Sequence, residues 1–241
     1  MVAKTSGTTD FNLDLGELVE EAFERNGAEA RTGYDFRTAR RSLNLLLSDW
    51  ANRGVNLWTV DSGSIPLVAG TATYDLPVDT VDIIDHVIRT QTGVNQTDLT
   101  ITRISVSTYA TIPNKNATGR PIQIYVNRLS GATNASNVVQ YPTVTVWPIP
   151  DSATPYTLVY WRLRRMENAG NAVNGQDIPF RMLPALTAGL AYYLSLKIPG
   201  AETRRDMLKQ DYDDAWTLAA EEDRDRASVR FVPRQQFIGN T

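Results

Sequence analysis

The sequence predicts an α+β protein: a helical bundle from N- and C-terminal helix pairs, an inserted antiparallel β domain, and an extended C-terminal tail. Two observations predict it. Apolar residues recur at three- and four-residue spacing within residues 1–61 and again within 166–228, which is the period of a helix with one buried face. Across 62–165 the pattern changes to alternation and short apolar runs, rich in β-branched residues and broken by Gly, Pro, Asn, Ser and Thr. Residues 229–241 follow neither period and are read as a tail.

The first helix opens at Asn12 or Asp14, both good N-caps. Leu15, Leu18, Val19, Ala22 and Phe23 form its apolar stripe, and Glu17, Glu20, Glu21 and Glu24 fill the remainder. Gly27 stands where a left-handed residue ends a helix. The second helix takes Asp35 as N-cap and Gly54 as stop, with Phe36, Ala39, Leu43, Leu46, Leu47 and Trp50 on one face. These two are expected to form an antiparallel hairpin joined by residues 26–34.

In the middle region Thr73-Tyr74-Asp75-Leu76-Pro77 reads as a strand ending at proline, and 81–89 as a strand that pairs next to it. Residues 122–126, 143–147 and 157–163 supply three more, with Pro148-Ile149-Pro150-Asp151-Ser152 as the turn between the last two. The expectation is a small antiparallel sheet or barrel of roughly five to seven strands.

The third helical stretch opens at Asp177-Ile178-Pro179. Pro184 belongs in a first turn or marks a break, because proline inside a helix costs roughly 3 kcal/mol. Leu183, Leu186, Leu190, Tyr193 and Leu194 then form a stripe, while Ala185, Ala188, Gly189 and Ala191 permit close packing. Lys197-Ile198-Pro199-Gly200 stops this helix. The fourth, over 201–225, carries Leu208, Tyr212, Ala215, Trp216 and Ala219 on one side and ends in a charged, solvated run. Neither pair can bury both of its faces alone, so a common four-helix core is the simplest arrangement.

Composition narrows the function. A chain of 241 residues can bury a sizeable core, and its 42% hydrophobic and 21% charged content is that of a soluble globular protein. No apolar run is long enough to cross a membrane, and the first residues lack the continuous apolar core of a signal peptide. Cysteine is absent, which excludes disulfides and thiolate metal sites and suits synthesis in a reducing cytoplasm. The net charge of −3 is spread: 7 basic against 10 acidic residues in 1–61, 8 against 6 in 62–165, and 9 against 11 in 166–241. No segment is a basic arm of the kind that grips nucleic acid by its phosphates.

Chemistry-bearing patterns are equally sparse. The lone histidine, His86, lies in an apolar stretch and reads as structural. There is no nucleophile elbow, P-loop or dinucleotide fingerprint. Glu20 with Glu24, and Asp211 with Asp214, stand at helix-surface spacing and read as solvated rather than as a glycosidase pair. Asp75, Asp79, Asp82 and Asp85 do not fit a calcium loop. Three Asn-x-Ser/Thr triplets, at Asn95, Asn116 and Asn134, read as polar loops. Trp50, Trp58, Trp147, Trp161 and Trp216 read as core residues rather than stacking platforms. The expectation is therefore no catalytic residue, no metal, no cofactor and no enzyme activity. The tail differs: Phe231, Val232, Phe237 and Ile238 are apolar residues in an extended segment, better explained by a partner's sheet edge or groove than by a disordered end.

Several blocks, taken in order, resemble one family. They are Arg41-Ser42-Leu43-Asn44-Leu45-Leu46-Leu47-Ser48-Asp49-Trp50-Ala51-Asn52-Arg53-Gly54 with Asn56-Leu57-Trp58, then Gly70-Thr71-Ala72-Thr73-Tyr74-Asp75-Leu76-Pro77 and Tyr109-Ala110-Thr111-Ile112-Pro113. Gly119-Arg120-Pro121, Val146-Trp147-Pro148-Ile149-Pro150, Ile178-Pro179 and Gly189-Leu190-Ala191-Tyr192 continue the series, which spans most of the chain. The chain is similar to the head-to-tail adaptor proteins (tail accessory or connector proteins) of short-tailed bacteriophages. The resemblance implies a structural virion protein forming a ring, usually a dodecamer, beneath the portal protein at the neck of the particle. It implies that the C-terminal segment, with Phe231, Val232, Phe237 and Ile238, is portal-binding. It implies further that the β region faces the next tail component (nozzle or tail tube), and that double-stranded DNA transits the lumen during ejection. A tail-tube or nozzle subunit, or a tail-associated cell-wall hydrolase, are the alternative readings.

Overall fold

The computed structural model describes residues 5–9, 11–54, 57–91 and 93–223. The four residues of the tail reading, Phe231, Val232, Phe237 and Ile238, lie outside them. The described residues form five α-helices and eight strands: α1 (Leu15–Arg25), α2 (Gly33–Arg53), β1 (Val60–Leu67), β2 (Thr73–Asp75), β3 (Thr80–Thr90), β4 (Thr97–Thr100), β5 (Thr102–Ile104), α3 (Val106–Thr111), β6 (Gln123–Asn127), β7 (Thr143–Trp147), β8 (Tyr156–Arg164), α4 (Leu183–Ser195) and α5 (Arg205–Glu222).

Helix α1 starts as its sequence dictates. Asp14 accepts from the Glu17 backbone at 2.8 Å while the Glu17 side chain accepts from the Asp14 N–H, a reciprocal capping box. Its next free N–H groups are satisfied from elsewhere in the chain: Leu15 donates to Asn174 O and Gly16 to Ala172 O. Helix α2 corrects the expected cap. Thr32 is the N-cap, and Asp35 is the acidic partner three residues inside it, binding the Thr32 N–H and hydroxyl. Asp is both a good N-cap and a good acidic residue for the first turn, so the pattern alone misplaced the start by one turn. Gly54 ends the helix with φ +79°, a conformation that carries a steric penalty for other residues.

Helix α4 is the axis of the bundle. Pro184 sits in its first turn, and every residue except Pro184, Tyr192 and Tyr193 is buried. It packs against α1, α2 and α5, whereas α1 and α2 touch each other little. The expected N-terminal hairpin is therefore held together mainly through α4. Gly189 makes this possible: a Cβ there would lie 2.8 Å from Leu46 Cδ2 and 2.9 Å from the Tyr212 ring. The core joins Leu18, Val19 and Ala22 of α1, Leu43, Leu46 and Trp50 of α2, and Leu208 and Tyr212 of α5 around α4.

The β region contains two four-stranded sheets, ordered β1-β8-β3-β4 and β2-β7-β6-β5. Inward residues of both, including Ile83, Ile88 and Leu158 from the first and Ile124, Val144 and Val146 from the second, form one core. Three expectations change here. β2 and β3 do not pair, since they belong to different sheets. Residues 148–152 do join β7 to β8 as expected, but these strands lie in different sheets rather than in the one sheet expected. The β5–β6 pair is parallel, with α3 in the crossover, while all other pairs are antiparallel. Strand β1, whose Gly63 and Pro66 obscure its pattern, pairs along its whole length with β8. Gly63 stands opposite Tyr160, where an added Cβ would lie 2.5 Å from the phenol.

Candidate functional site

The strongest polar constellation lies on β8. Alternation along this strand turns Tyr156, Leu158 and Tyr160 inward, and the next inward position is Arg162. Its guanidinium donates to Asp79 Oδ1 at 2.7 Å, Asp61 Oδ2 at 3.1 Å and Thr80 Oγ1 at 3.0 Å. One buried cation thus ties β8 to β1 and to the start of β3. Burial opposes the charged form of Asp79, but the hydrogen bond and charge of Arg162 outweigh it and hold the carboxyl below its ordinary pKa.

Two residues on, Arg164 reaches the other half of the molecule. It pairs bidentately with Asp177, Nη1 to Oδ2 at 2.6 Å and Nη2 to Oδ1 at 3.0 Å. Asp177 also accepts the Glu167 N–H, and its carbonyl accepts from Trp58 Nε1 at 2.9 Å. Burial raises the Asp177 carboxyl while Arg164 and the Glu167 N–H lower it, with a net depression. This junction fastens the β domain to the segment that leads into α4. Beside it a cleft of about 540 Å³ separates α2 from residues 163–168, lined by Asn44, Leu47, Ser48, Leu163, Arg164 and Met166.

The bundle carries a second surface feature. Between α1 and the start of α4 runs a groove of about 690 Å³. Phe11, Leu13, Phe180, Leu183 and Pro184 supply its apolar lining, and Glu17, Glu20, Glu21 and Glu24 its α1 side. Phe11 and Phe180 are each about three-quarters exposed, at 74% and 76%.

The residues singled out from sequence fall as follows. His86 is half-buried on β3, and burial pushes its pKa down. Asp79 pairs with Arg162, and Asp82 pairs with Arg103 at 2.7 Å and so joins the two sheets. Among the described residues no group of three or more acidic or histidine side chains is placed to hold a metal. Glu20, Glu24, Asp211 and Asp214 are exposed helix residues. Trp50 is fully buried and donates to Tyr212 Oη at 3.0 Å; Trp58, Trp147 and Trp216 are half-buried. Trp161 departs from the expectation: it is 38% exposed, because the alternation that turns Arg162 inward turns it outward. Arg162, Arg164, Phe11 and Phe180 were not singled out. An arginine at an inward strand position was the signal available for the first.

A helical bundle is fastened to a two-sheet domain by paired charges, with grooves and exposed apolar side chains as its open features. The family model described as SU10 adaptor protein covers residues 13–234, and the chain belongs to that family, the phage head-to-tail adaptors. Comparison with curated proteins finds no match. No helix among the described residues is long and apolar enough to cross a membrane.

Proposed function

We propose that this adaptor forms a ring of twelve copies between the portal and the tail of the virion, after synthesis in the host bacterial cytoplasm, and that double-stranded DNA passes through its lumen without being held. The match to the adaptor family over residues 13–234 carries the reading. The interspersed charge supports the lumen role, since a net charge of −3 with no basic stripe leaves little to grip phosphates. Each copy would meet two identical neighbours through a heterologous interface that closes into a ring.

In this reading the four bodies are 1–61 and 166–228 as bundle, 62–165 as β domain and 229–241 as tail. The bundle is the wall, and the β domain faces the nozzle or tail tube. Phe231, Val232, Phe237 and Ile238 anchor the tail on the portal, where twelve equivalent weak contacts reinforce one another. Mass measurement of the chain alone and mixed with its portal is the test, with a ring of adaptor on the portal as the expected result. Deleting 229–241 is expected to leave the fold intact and weaken portal attachment. Attachment that survives the deletion unchanged would remove the role given to the tail.

A further inference from the structure

The groove between α1 and α4 has an acidic wall and an apolar one, and the described residues end near it. Glu17, Glu20, Glu21 and Glu24 project from successive turns of α1 along one wall. Glu21 is paired with Arg25, and Glu17 caps its own helix. Glu20 and Glu24 are exposed and have no ion-pair partner among the described residues. Phe180, Leu183 and Pro184 line the groove from the α4 side, and Phe11 and Leu13 add to the apolar lining.

Helix α5 brings the chain to this place. Asp223, its C-cap, has its side chain 1% exposed, accepts from the Leu57 N–H at 3.3 Å, and stands 3.7 Å from the guanidinium of Arg181. Arg181 is itself a lining residue of the groove. The exit point of residues 224–241 is therefore fixed at the groove's rim. Those residues carry Arg224, Arg226, Arg230 and Arg234 against the single acid Asp225, with Phe231, Val232, Phe237 and Ile238 between and beyond the arginines. From Asp223 to Phe231 the chain can span up to about 26 Å, more than the roughly 16 Å length of α1.

We propose that residues 224–241 dock in the α1–α4 groove of their own chain, arginines against Glu20 and Glu24 and phenylalanines against the Phe11–Phe180 lining. Docking in this way covers the exposed rings of Phe11 and Phe180. It also holds the tail as an intramolecular ligand, so a partner that takes the tail must compete with a high local concentration of groove. The consequence that this shields the portal-binding residues before assembly rests on the function proposed above; the docking itself does not.

The chain contains no cysteine, so two can be placed without background. Spin labels on Glu29→Cys and Gln235→Cys in the full chain report the tail against α1. Glu29 is exposed and lies outside the groove lining. The expected result is a narrow distance population within about 25 Å, since the groove follows a helix of only three turns. The double change Glu20→Lys and Glu24→Lys should reduce that population about tenfold, and added salt should weaken it, because the pairs are surface ones. Phe231→Ala with Phe237→Ala should do the same while circular dichroism shows the fold unchanged. A broad distribution insensitive to the lysine substitutions would overturn the proposal. So would a narrow one that disappears on dilution with unlabelled chain, which would assign the groove to the tail of a second copy. Added portal separates this from the functional reading: docking that persists with portal attachment unaffected by tail deletion leaves the groove assignment standing and removes the portal role.

Discussion

The helical bundle and the β domain bury their surfaces by different means. In the bundle, α4 is buried nearly all round, and its neighbours meet it through leucine, alanine and one close-approach glycine. The main side-chain hydrogen bonds inside are neutral or to backbone, such as Trp50 to Tyr212 and Asn26 to Ala191 O. The β domain has an apolar core too, but its strands are fastened at their ends by Arg162 between Asp61 and Asp79, and its sheets by Arg103 on Asp82. Packing losses should therefore break the bundle hardest. Charge losses and acid should act on the β domain and its junction.

The largest effect is expected at Trp50. Removing a fully buried indole creates a cavity and leaves the Tyr212 hydroxyl without its donor, so Trp50→Ala should lose about 3–5 kcal/mol in thermal or urea unfolding. Trp161→Ala removes the same side chain from the outer face of β8 and should cost far less. Equal losses at the two sites would refute the contrast between them.

Arg162→Met comes next. Its aliphatic replacement fills similar space but leaves Asp61 and Asp79 facing a buried position without a cation. Both carboxylates are nearly half exposed and can turn to water, so about 1–3 kcal/mol is expected rather than the full cost of a stranded buried charge. Urea midpoints of the two proteins at pH 7 measure it.

This contrast also explains how much could be seen in the sequence. The bundle's stripes were legible because each helix shows one apolar face, and Leu18, Leu43, Leu46, Leu186 and Leu208 all reached the core expected of them. The five individual strands at 73–77, 81–89, 122–126, 143–147 and 157–163 were legible from alternation or short β-branched runs. Their partners were not. Sheet order depends on which strand ends meet after the chain has crossed between sheets, and no local pattern records that β2 lies beside β7 rather than β3. Strand β1 was hidden because Gly63 serves Tyr160 rather than a hydrophobic stripe. The α1–α4 groove was hidden because Phe11 and Phe180 are far apart in sequence and neither lies in a periodic run. The Asp35 cap and the inward reading of Trp161 failed by one turn and one residue, the distances over which cap chemistry and strand alternation change meaning.

Acid should act where the depressed carboxyls are. A carboxyl whose folded pKa lies below its unfolded value contributes stability that is complete above the unfolded value and is lost as pH falls through the folded one. Asp177, lowered by Arg164, and Asp79, lowered by Arg162, are both of this kind. Stability should therefore be level near neutrality and decline from about pH 4 downward. Asp177→Asn should be less stable at pH 7 but lose less on transfer to pH 3, because one of the groups that bind a proton on unfolding is gone. A pH dependence identical to that of the unaltered chain would show that the junction pair contributes nothing to folding.

The smallest effect is expected from Arg89→Ala. Arg89 and Arg162 both grip carboxylates alongside β3, and Arg89 does so with the better fork, Nε and Nη2 on the two oxygens of Asp98 at 2.8 and 2.9 Å. Geometry alone would rank it first. Arg89 lies at the outer end of the β3–β4 pair, however, and water can replace each of its hydrogen bonds when the side chain is removed. Arg162 is buried between strands, and water reaches its partners only after their carboxylates turn outward. A melting temperature unchanged by Arg89→Ala, beside a clear fall for Arg162→Met, would establish that burial rather than bond length decides which ion pairs hold this β domain together.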